Sequence, residues 1–503
     1  MKLKIALVIA GLIGAGSLVV ACGGGGSSMG GPTPPPVPTT PCISDTARQP
    51  LAATSFSLGR IGVRPPPRAG SDTYPGLIAV QYRSTARSPQ AEARMSSIGA
   101  RSQVSQYLPG WVIYKLPATA DPIHEATLLR AMSGVASAEP VRARYLMAAN
   151  VPNDTDLGTN ALATQPGGDT TTPVQWDMWR TNMPLGWGIT TGLATIRIAI
   201  IDTGYDATNA DLAGKVDGSI VFDHGNGQAA TCAGVTAQDH DGHGSNVSGI
   251  AAADTDNALG VAGTGWKVHL LEARVFPYPP TPTSSSPPAS TADVAAGVNW
   301  AVANGAKVIS LSLGGSTCPD DPVEATAIAN AITAGVTVVA AAGNEGKNQI
   351  DAPACDPGVI SVGASMLDDF TNTSNPPVEK IAAYSNFGAG LDVAAPGGAP
   401  TTTQQNACNA NSANCDYLQW ILNLFSSTAV GGGGDLALFA GTSQATPHVA
   451  GIAALMYSKD GSITPAAVKA LFDTPLNEDD ICSGCAGEGH GRVNANKLLT
   501  ATH

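Results

Sequence analysis

Gly441-Thr442-Ser443-Gln444-Ala445-Thr446-Pro447-His448-Val449-Ala450-Gly451 is the stretch on which the reading of this chain turns. A serine follows a glycine and a threonine, and a run of small apolar residues continues to Tyr457. That run reads as a buried helix, which puts Ser443 at or beside a helix N-terminus. Unpaired N–H groups and the positive end of the helix dipole favour developing negative charge there. A nucleophilic serine needs such a place, and it needs a base. Two upstream stretches supply the other parts. Ile200-Ile201-Asp202-Thr203-Gly204 ends an apolar strand in an aspartate. Asp241-Gly242-His243-Gly244-Ser245 sets a histidine at the start of an alanine-rich helix.

The order Asp202, His243, Ser443 resembles that of the subtilisin-like serine proteases, the subtilase family. A fourth stretch, Ala341-Ala342-Gly343-Asn344-Glu345-Gly346, is similar to the family's oxyanion-hole segment. A single Gly-His-Gly or Gly-Thr-Ser arises by chance, whereas four motifs in the family's order are specific. The resemblance implies that Ser443 attacks a peptide carbonyl and that His243 moves the proton. It implies that Asp202 fixes the imidazole tautomer. Asn344 would stabilise the oxyanion together with the Ser443 backbone N–H. His448, inside the serine helix, reads as structural, and His240 as a loop residue.

Further expectations follow from the same resemblance. Ser310-Leu311-Ser312-Leu313-Gly314-Gly315 is similar to the strand that pairs with an extended substrate, with Ser312 and Gly314 at the matching positions. Asp351, in Asp351-Ala352-Pro353, aligns with the wall of the pocket for the P1 side chain. Ionised, it would favour a basic P1 residue; turned to solvent or bonded to backbone, it would not. A structural Ca²⁺ is implied, held by Asp154, Asp211, Thr255, Asn257, Leu259 and Val261, a mix of hard oxygen ligands. Two positions depart from the family pattern. Gln444 stands where a methionine is frequent, so less inactivation by peroxide is expected. Asn246 stands where a second histidine is usual.

The rest of the chain divides by composition. Met1–Cys22 reads as a secretory signal peptide, with a short basic start, an apolar run and an ending Val20-Ala21-Cys22-Gly23 similar to a bacterial lipobox. Cys22 would then carry a lipid. Residues 23–42 are nearly all Gly, Ser, Pro and Thr, the composition of a linker. Residues 43–150 hold 12 Lys+Arg against 6 Asp+Glu, whereas 151–503 hold 12 against 33. A net charge of −13 thus combines a basic module with a strongly acidic one.

In the basic module, strands at 74–82, 111–116 and 135–140 alternate with helices at 90–98 and 121–132. This resembles the small α+β, ferredoxin-like inhibitory prodomain of subtilases. Opposite charges would speed its docking on the enzyme. Self-cleavage is expected between about Tyr145 and Pro152, which would separate the enzyme from Cys22.

From 151 onward, apolar runs of strand length recur at 194–201, 268–275, 307–313, 336–341, 359–362 and 391–394. Helical stretches alternate with them at 243–253, 291–304, 322–334 and 443–457. Continuous apolar strands alternating with helices predict an α/β fold, a mostly parallel sheet covered on both faces. Two inserts, 277–290 and 397–435, read as exposed loops. Eight cysteines follow Cys22, an even number that suits disulfides in an exported chain. Spacing leaves the pairing open; the suggested pairs are Cys408–Cys415, Cys318–Cys355, Cys482–Cys485 and Cys42–Cys232. Cys482 and Cys485 could instead form a redox dithiol, though no thioredoxin-like context surrounds them. No zinc pattern is present.

The reading is an exported, self-processing serine endopeptidase acting on protein or peptide substrates, with its own prodomain as inhibitor. Its competitor is a surface or adhesion protein of subtilase shape without catalysis. An esterase or lipase would need Gly-x-Ser-x-Gly and the order Ser, Asp, His. The acidic main module disfavours nucleic acid as a partner.

Overall fold

The computed structural model describes residues 73–142 and 151–502, apart from 85, 105–110, 158–173, 231–233, 279–285, 316–317, 369–377, 404, 407–416, 430–434, 482–484 and 486. The chain forms two compact units, one within 58–148 and the other from 149 onward. The leader and linker read from the sequence lie outside the described residues.

The smaller unit runs β1 (Thr73–Tyr82), α1 (Pro89–Ser97), β2 (Arg101–Val104), β3 (Trp111–Lys115), α2 (Pro122–Arg130) and β4 (Val135–Arg142). Its antiparallel sheet has the order β2-β3-β1-β4. This is the ferredoxin-like βαββαβ arrangement. The short polar strand β2 is the element that the apolar pattern missed. Both helices begin on a side-chain cap, Ser88 or Asp121, followed by proline. Ile78, Val80, Tyr114 and Leu129 form the centre of the core.

The larger unit is built on a sheet of ten strands. In chain order its elements are α3 (Trp176–Arg180), α4 (Met183–Trp187), β5 (Arg197–Asp202), β6 (Val216–Val221), α5 (His243–Ala252), β7 (His269–Arg274), α6 (Thr291–Ala303), β8 (Val308–Leu311), α7 (Pro322–Thr333), β9 (Thr337–Ala341), β10 (Ile360–Asp368), β11 (Val378–Ile381), β12 (Val393–Pro396), β13 (Ile421–Leu424), β14 (Leu436–Phe439), α8 (Thr442–Lys459), α9 (Pro465–Phe472), β15 (Glu478–Asp479), β16 (Arg492–Val493) and α10 (Ala495–Ala501). The order across the sheet is β15-β16-β12-β10-β9-β8-β5-β7-β6, with β11 paired to β10. Every pairing is parallel except those of β11 and β15. Strands β8, β9 and β12 are buried at every position because helices cover both faces. One core gathers residues of α5 and α8, and the other those of α6 and α7. The expected α/β architecture is therefore present.

One expectation needs correction. The insert 397–435 is not an exposed loop throughout. Its segment Ile421–Leu424 is a fully buried strand that pairs with Leu436–Phe439 as a two-stranded antiparallel sheet. Short apolar runs without a long hydrophobic neighbourhood hid it in the sequence.

Cys318 and Cys355 form a disulfide, as suggested from their positions. Cys485 is also disulfide-bonded. Cys42, Cys232, Cys408, Cys415 and Cys482 lie outside the described residues. Among the described residues no helix is long and apolar enough to cross a membrane.

Candidate active site

Strand β5 delivers Asp202 at its last position, where the side chain is buried. Its Oδ1 accepts a hydrogen bond from Thr203 N at 2.7 Å and lies 2.8 Å from His243 Nδ1. Its Oδ2 is buried with no hydrogen-bond partner among the described residues, so the carboxylate's charge is directed at the imidazole. His243 is the first residue of α5. The preceding Gly242 has φ 101°, and a Cβ there would run into the Phe425 ring. Only glycine tolerates both.

The loop before His243 is held by Asp239, a residue the motif reading did not single out. Its carboxylate accepts from Asp241 N, Gly242 N, Ser245 N, Ser245 Oγ and Thr203 Oγ1 at 2.7–3.0 Å. An acid just ahead of a helix N-terminus was the available signal. Burial, with the charge of Asp241, pushes Asp239 up to about 6. Burial alone would lower the His243 imidazole. The charge and hydrogen bond of Asp202 outweigh it, Asp241 and Asp239 add to them, and the result is about 9.

Ser443 is the second residue of α8. Pro447 lies four residues on and has no N–H, so the helix leaves the Ser443 carbonyl without its usual donor. Ser312 supplies one: its Oγ donates to Ser443 O at 2.8 Å. In return Ser443 Oγ donates to Ser312 O at 3.0 Å. Ser312 is thus in direct contact with the candidate nucleophile. His448 is fully buried between Gln444 O and Asp177 Oδ2, both at 2.8 Å, which fits its structural reading. His240 packs on the Tyr278 ring.

Asn344 reaches the same place from the end of β9. Its Oδ1 accepts from Thr442 N and Thr442 Oγ1, each at 2.9 Å. Both bonds use the amide oxygen, which leaves the Nδ2 donors for a negative atom beside Ser443. Asn386, fully buried and also missed in the sequence, shapes this turn. It accepts from Glu345 N and Lys347 N and donates to Glu345 Oε2. Gly343, at φ 111°, has no room for a side chain, because Asp351 Oδ2 and Asn386 Nδ2 fill the space.

Gly314 and Asp351 are neighbours, since a Cβ on Gly314 would lie 3.8 Å from Asp351 Cβ. Gly315 and Ala352 exchange backbone hydrogen bonds of 2.8 and 3.1 Å beside them. Asp351 is buried and not turned to solvent. Burial first, then the charge and hydrogen bond of Glu345, push its carboxyl up to about 7.

The residues read as calcium ligands also come together. Asp154 accepts from Asp256 N, and Asp211 accepts from Asn257 Nδ2 and Val261 N, at 2.9–3.0 Å. Leu259 N donates to Asn257 Oδ1, and Thr255 Oγ1 ties the loop to Ala253 O. Asp156, not singled out in the sequence, is buried nearby and its N–H donates to Gly260 O. Burial raises Asp154 to about 7 and Asp156 to about 6, with the charge of Asp211 contributing to both. None of these three carboxylates has a Lys or Arg ion pair among the described residues. Buried, mutually repelling carboxylates beside loop carbonyls fit a hard divalent cation. A second cluster, Asp392, Asp473 and His490, instead has the Lys469 ammonium bonded to both carboxylates.

The sequence profile of the subtilase family matches residues 194–489. The chain is 31% identical over 465 residues to an extracellular protease of Xanthomonas campestris pv. campestris, covering 85% of this chain and 70% of that one. It is 34% identical over 326 residues to thermitase of Thermoactinomyces vulgaris, covering 65% and 95%. Among solved structures it is similar to proteases from Pseudoalteromonas arctica, with TM-score 0.53, 26% identity, and coverage of 71% and 100%. Fervidolysin from Fervidobacterium pennivorans, at 20% identity and TM-score 0.50, shares the fold. The fold and these relatives define a serine-type endopeptidase, a hydrolase. The chain belongs to the subtilase family.

Proposed function

We propose that this subtilase is an exported endopeptidase, made as a proenzyme, whose chemistry is carried by Ser443, His243, Asp202 and Asn344. Ser443 Oγ leaves the Ser312 carbonyl, turns to His243 Nε2 and gives up its proton as it attacks the scissile carbonyl. Asp202 holds the Nδ1–H side of the ring and stabilises the imidazolium. The oxyanion takes Asn344 Nδ2 and the Ser443 N–H. Each such donor is worth roughly 2.7–4 kcal/mol to the transition state. His243 returns the proton to the departing amine, and water then hydrolyses the acyl-enzyme by the reverse sequence.

The observation that carries this reading is the 2.8 Å His243–Asp202 contact, together with the position of Ser443 in the first turn of α8. Ser312 and Gly314 border the substrate, and the Asp351 carboxylate receives a basic P1 side chain. Asp154, Asp211, Thr255, Asn257, Leu259 and Val261 hold Ca²⁺, whose charge offsets the buried carboxylates. The 43–150 module acts as inhibitor until it is cut away, and Cys22 anchors the precursor by a lipid.

A fluorophosphonate probe on the full chain tests the chemistry. Labelling of wild type and its loss in Ser443→Ala and His243→Ala is the expected result. An unlabelled, well-folded wild type would favour the catalytically silent surface protein.

A further inference from the structure

The two positions at which the motifs depart from the family pattern touch each other. Gln444 Nε2 donates to Asn246 Oδ1 at 3.2 Å, and Asn246 Nδ2 donates to Leu424 O at 3.2 Å. Both side chains are buried, Gln444 at 1% exposure and Asn246 at 0%. Gln444 directly follows Ser443 on α8. Asn246 is three residues past His243 on α5, on the same face of that helix. The contact is therefore a strut between the helix that carries the nucleophile and the helix that carries the imidazole. It continues into β13 through the Leu424 carbonyl, and at its other end His448 Nδ1 bonds to Gln444 O.

A hydrogen bond between two neutral amides contributes little net stability, but a buried polar atom left without a partner is costly. The pair therefore favours one relative placement of α5 and α8 over others. That placement matters because Ser443 Oγ rests on Ser312 O and must swing to His243 Nε2. Misplacement by about 1 Å can cost on the order of a hundred-fold in rate.

We propose that Gln444 and Asn246 form a positioning pair that sets the distance between the Ser443 hydroxyl and the His243 ring. The proposal rests on the roles assigned to those two residues. Gln444 and Asn246 touch neither substrate nor reacting atoms in this account; they act through the helices.

The test uses the full-length precursor in wild-type form and as Gln444→Met, Asn246→Leu, the double variant, and Asn246→Asp. Each is active-site titrated with a fluorophosphonate, and kcat, KM and Tm are measured. Loss of the strut should lower kcat about ten-fold in either single variant, the upper end for one neutral hydrogen bond. KM should stay within about two-fold, and the double variant should be no worse than the poorer single one. Asn246→Asp keeps an acceptor for Gln444 Nε2 but loses the donor to Leu424 O, so it should recover kcat in part relative to Asn246→Leu. Unchanged kcat in the singles, multiplying losses in the double, or a lowered Tm with kcat per titrated site intact would each overturn it. Should Gln444→Met not yield folded enzyme, Asn246→Leu against Asn246→Asp gives the same reading. A Ser443→Ala control that retained activity would instead overturn the underlying assignment.

Discussion

At the scale of single residues, the imidazole of His243, the proposed general base, sets the expected pH behaviour. Its value of about 9, held up by Asp202 and assisted by Asp241 and Asp239, lies well above the ordinary 6.5 or so. A general base must be neutral, so kcat/KM should rise along an acid limb centred on the alkaline side. Asp241→Asn should move that limb toward neutrality, which a pH–rate profile reads directly. Stability runs the other way. A raised histidine contributes stability that is complete below its unfolded value and is lost as pH climbs through about 9. Activity should therefore grow over the window in which resistance to denaturant declines. Asp351 gives a second prediction. Its carboxyl, raised to about 7 by burial and Glu345, is largely neutral in weak acid and ionised above neutrality. Preference for Lys or Arg over Leu at P1 should increase as pH passes through that value. Asp351→Asn should abolish the increase and lower the preference at least about ten-fold at pH 8, given what a unit charge at contact distance supplies. A peptide-library digest at two pH values measures both. The burial of Asp351 beside Glu345 was not legible in the sequence, because contact across a turn leaves no periodic trace.

At the scale of elements, helix α8, which carries the proposed nucleophile Ser443, shows how one residue type dictates another. Pro447 removes the donor that the Ser443 carbonyl would otherwise use, and Ser312 Oγ replaces it. Ser312→Ala should then cost about 1–3 kcal/mol in stability, the usual penalty for an acceptor left unpaired. In a Pro447→Ala background the helix can supply its own N–H, so the same change should cost clearly less. Chemical denaturation of the four proteins, in Ser443→Ala form to prevent self-digestion, gives the coupling. Additive losses would contradict this account of Pro447. The loop around Asp211 is the other telling element. Asp256 and Ala258 both have positive φ, and Gly260 packs its backbone on the Asp211 carboxylate. Chelation should lower Tm and restored Ca²⁺ should recover it; an unmoved Tm would argue against the site. Legibility followed the length of the apolar run. β5, β7, α6 and α8 came within a few residues of their expected bounds, because continuous or helically spaced apolar residues mark them. β6 was missed because its residues alternate between partial and full exposure up to Ile220, and Val221 alone is buried. The hairpin β13–β14 was missed because runs of four residues, interrupted in β13 by Asn423, suit a strand, a helix end or a loop equally well. α9 had a readable start in Thr464-Pro465, a cap followed by proline.

At the scale of the whole molecule, residues 43–150 carry a basic balance and 151–503 a strongly acidic one, and the chain forms two compact units. Position explains why the proposed catalytic residues stand out in the sequence while the residues that brace them do not. Asp202, His243 and Ser443 stand at element ends, inside short motifs, whereas Asp239 and Asn386 act through backbone groups that any sequence provides. The division also bears on where the enzyme works. If Cys22 carries the lipid and the chain cuts itself between about Tyr145 and Pro152, the acidic unit loses its tether when it gains activity. Wild type should accordingly appear in the medium with a new N-terminus in that interval, while the shorter basic piece stays with the membrane fraction. Ser443→Ala should remain full-length and membrane-bound, and Cys22→Ala should shift even the uncut Ser443→Ala chain away from the membrane. A Cys42–Cys232 bond would hold the cut pieces together, in which case release requires a reductant. Full-length Ser443→Ala in the medium would disprove anchoring through Cys22, and a normal cut in that variant would show that another protease performs the processing.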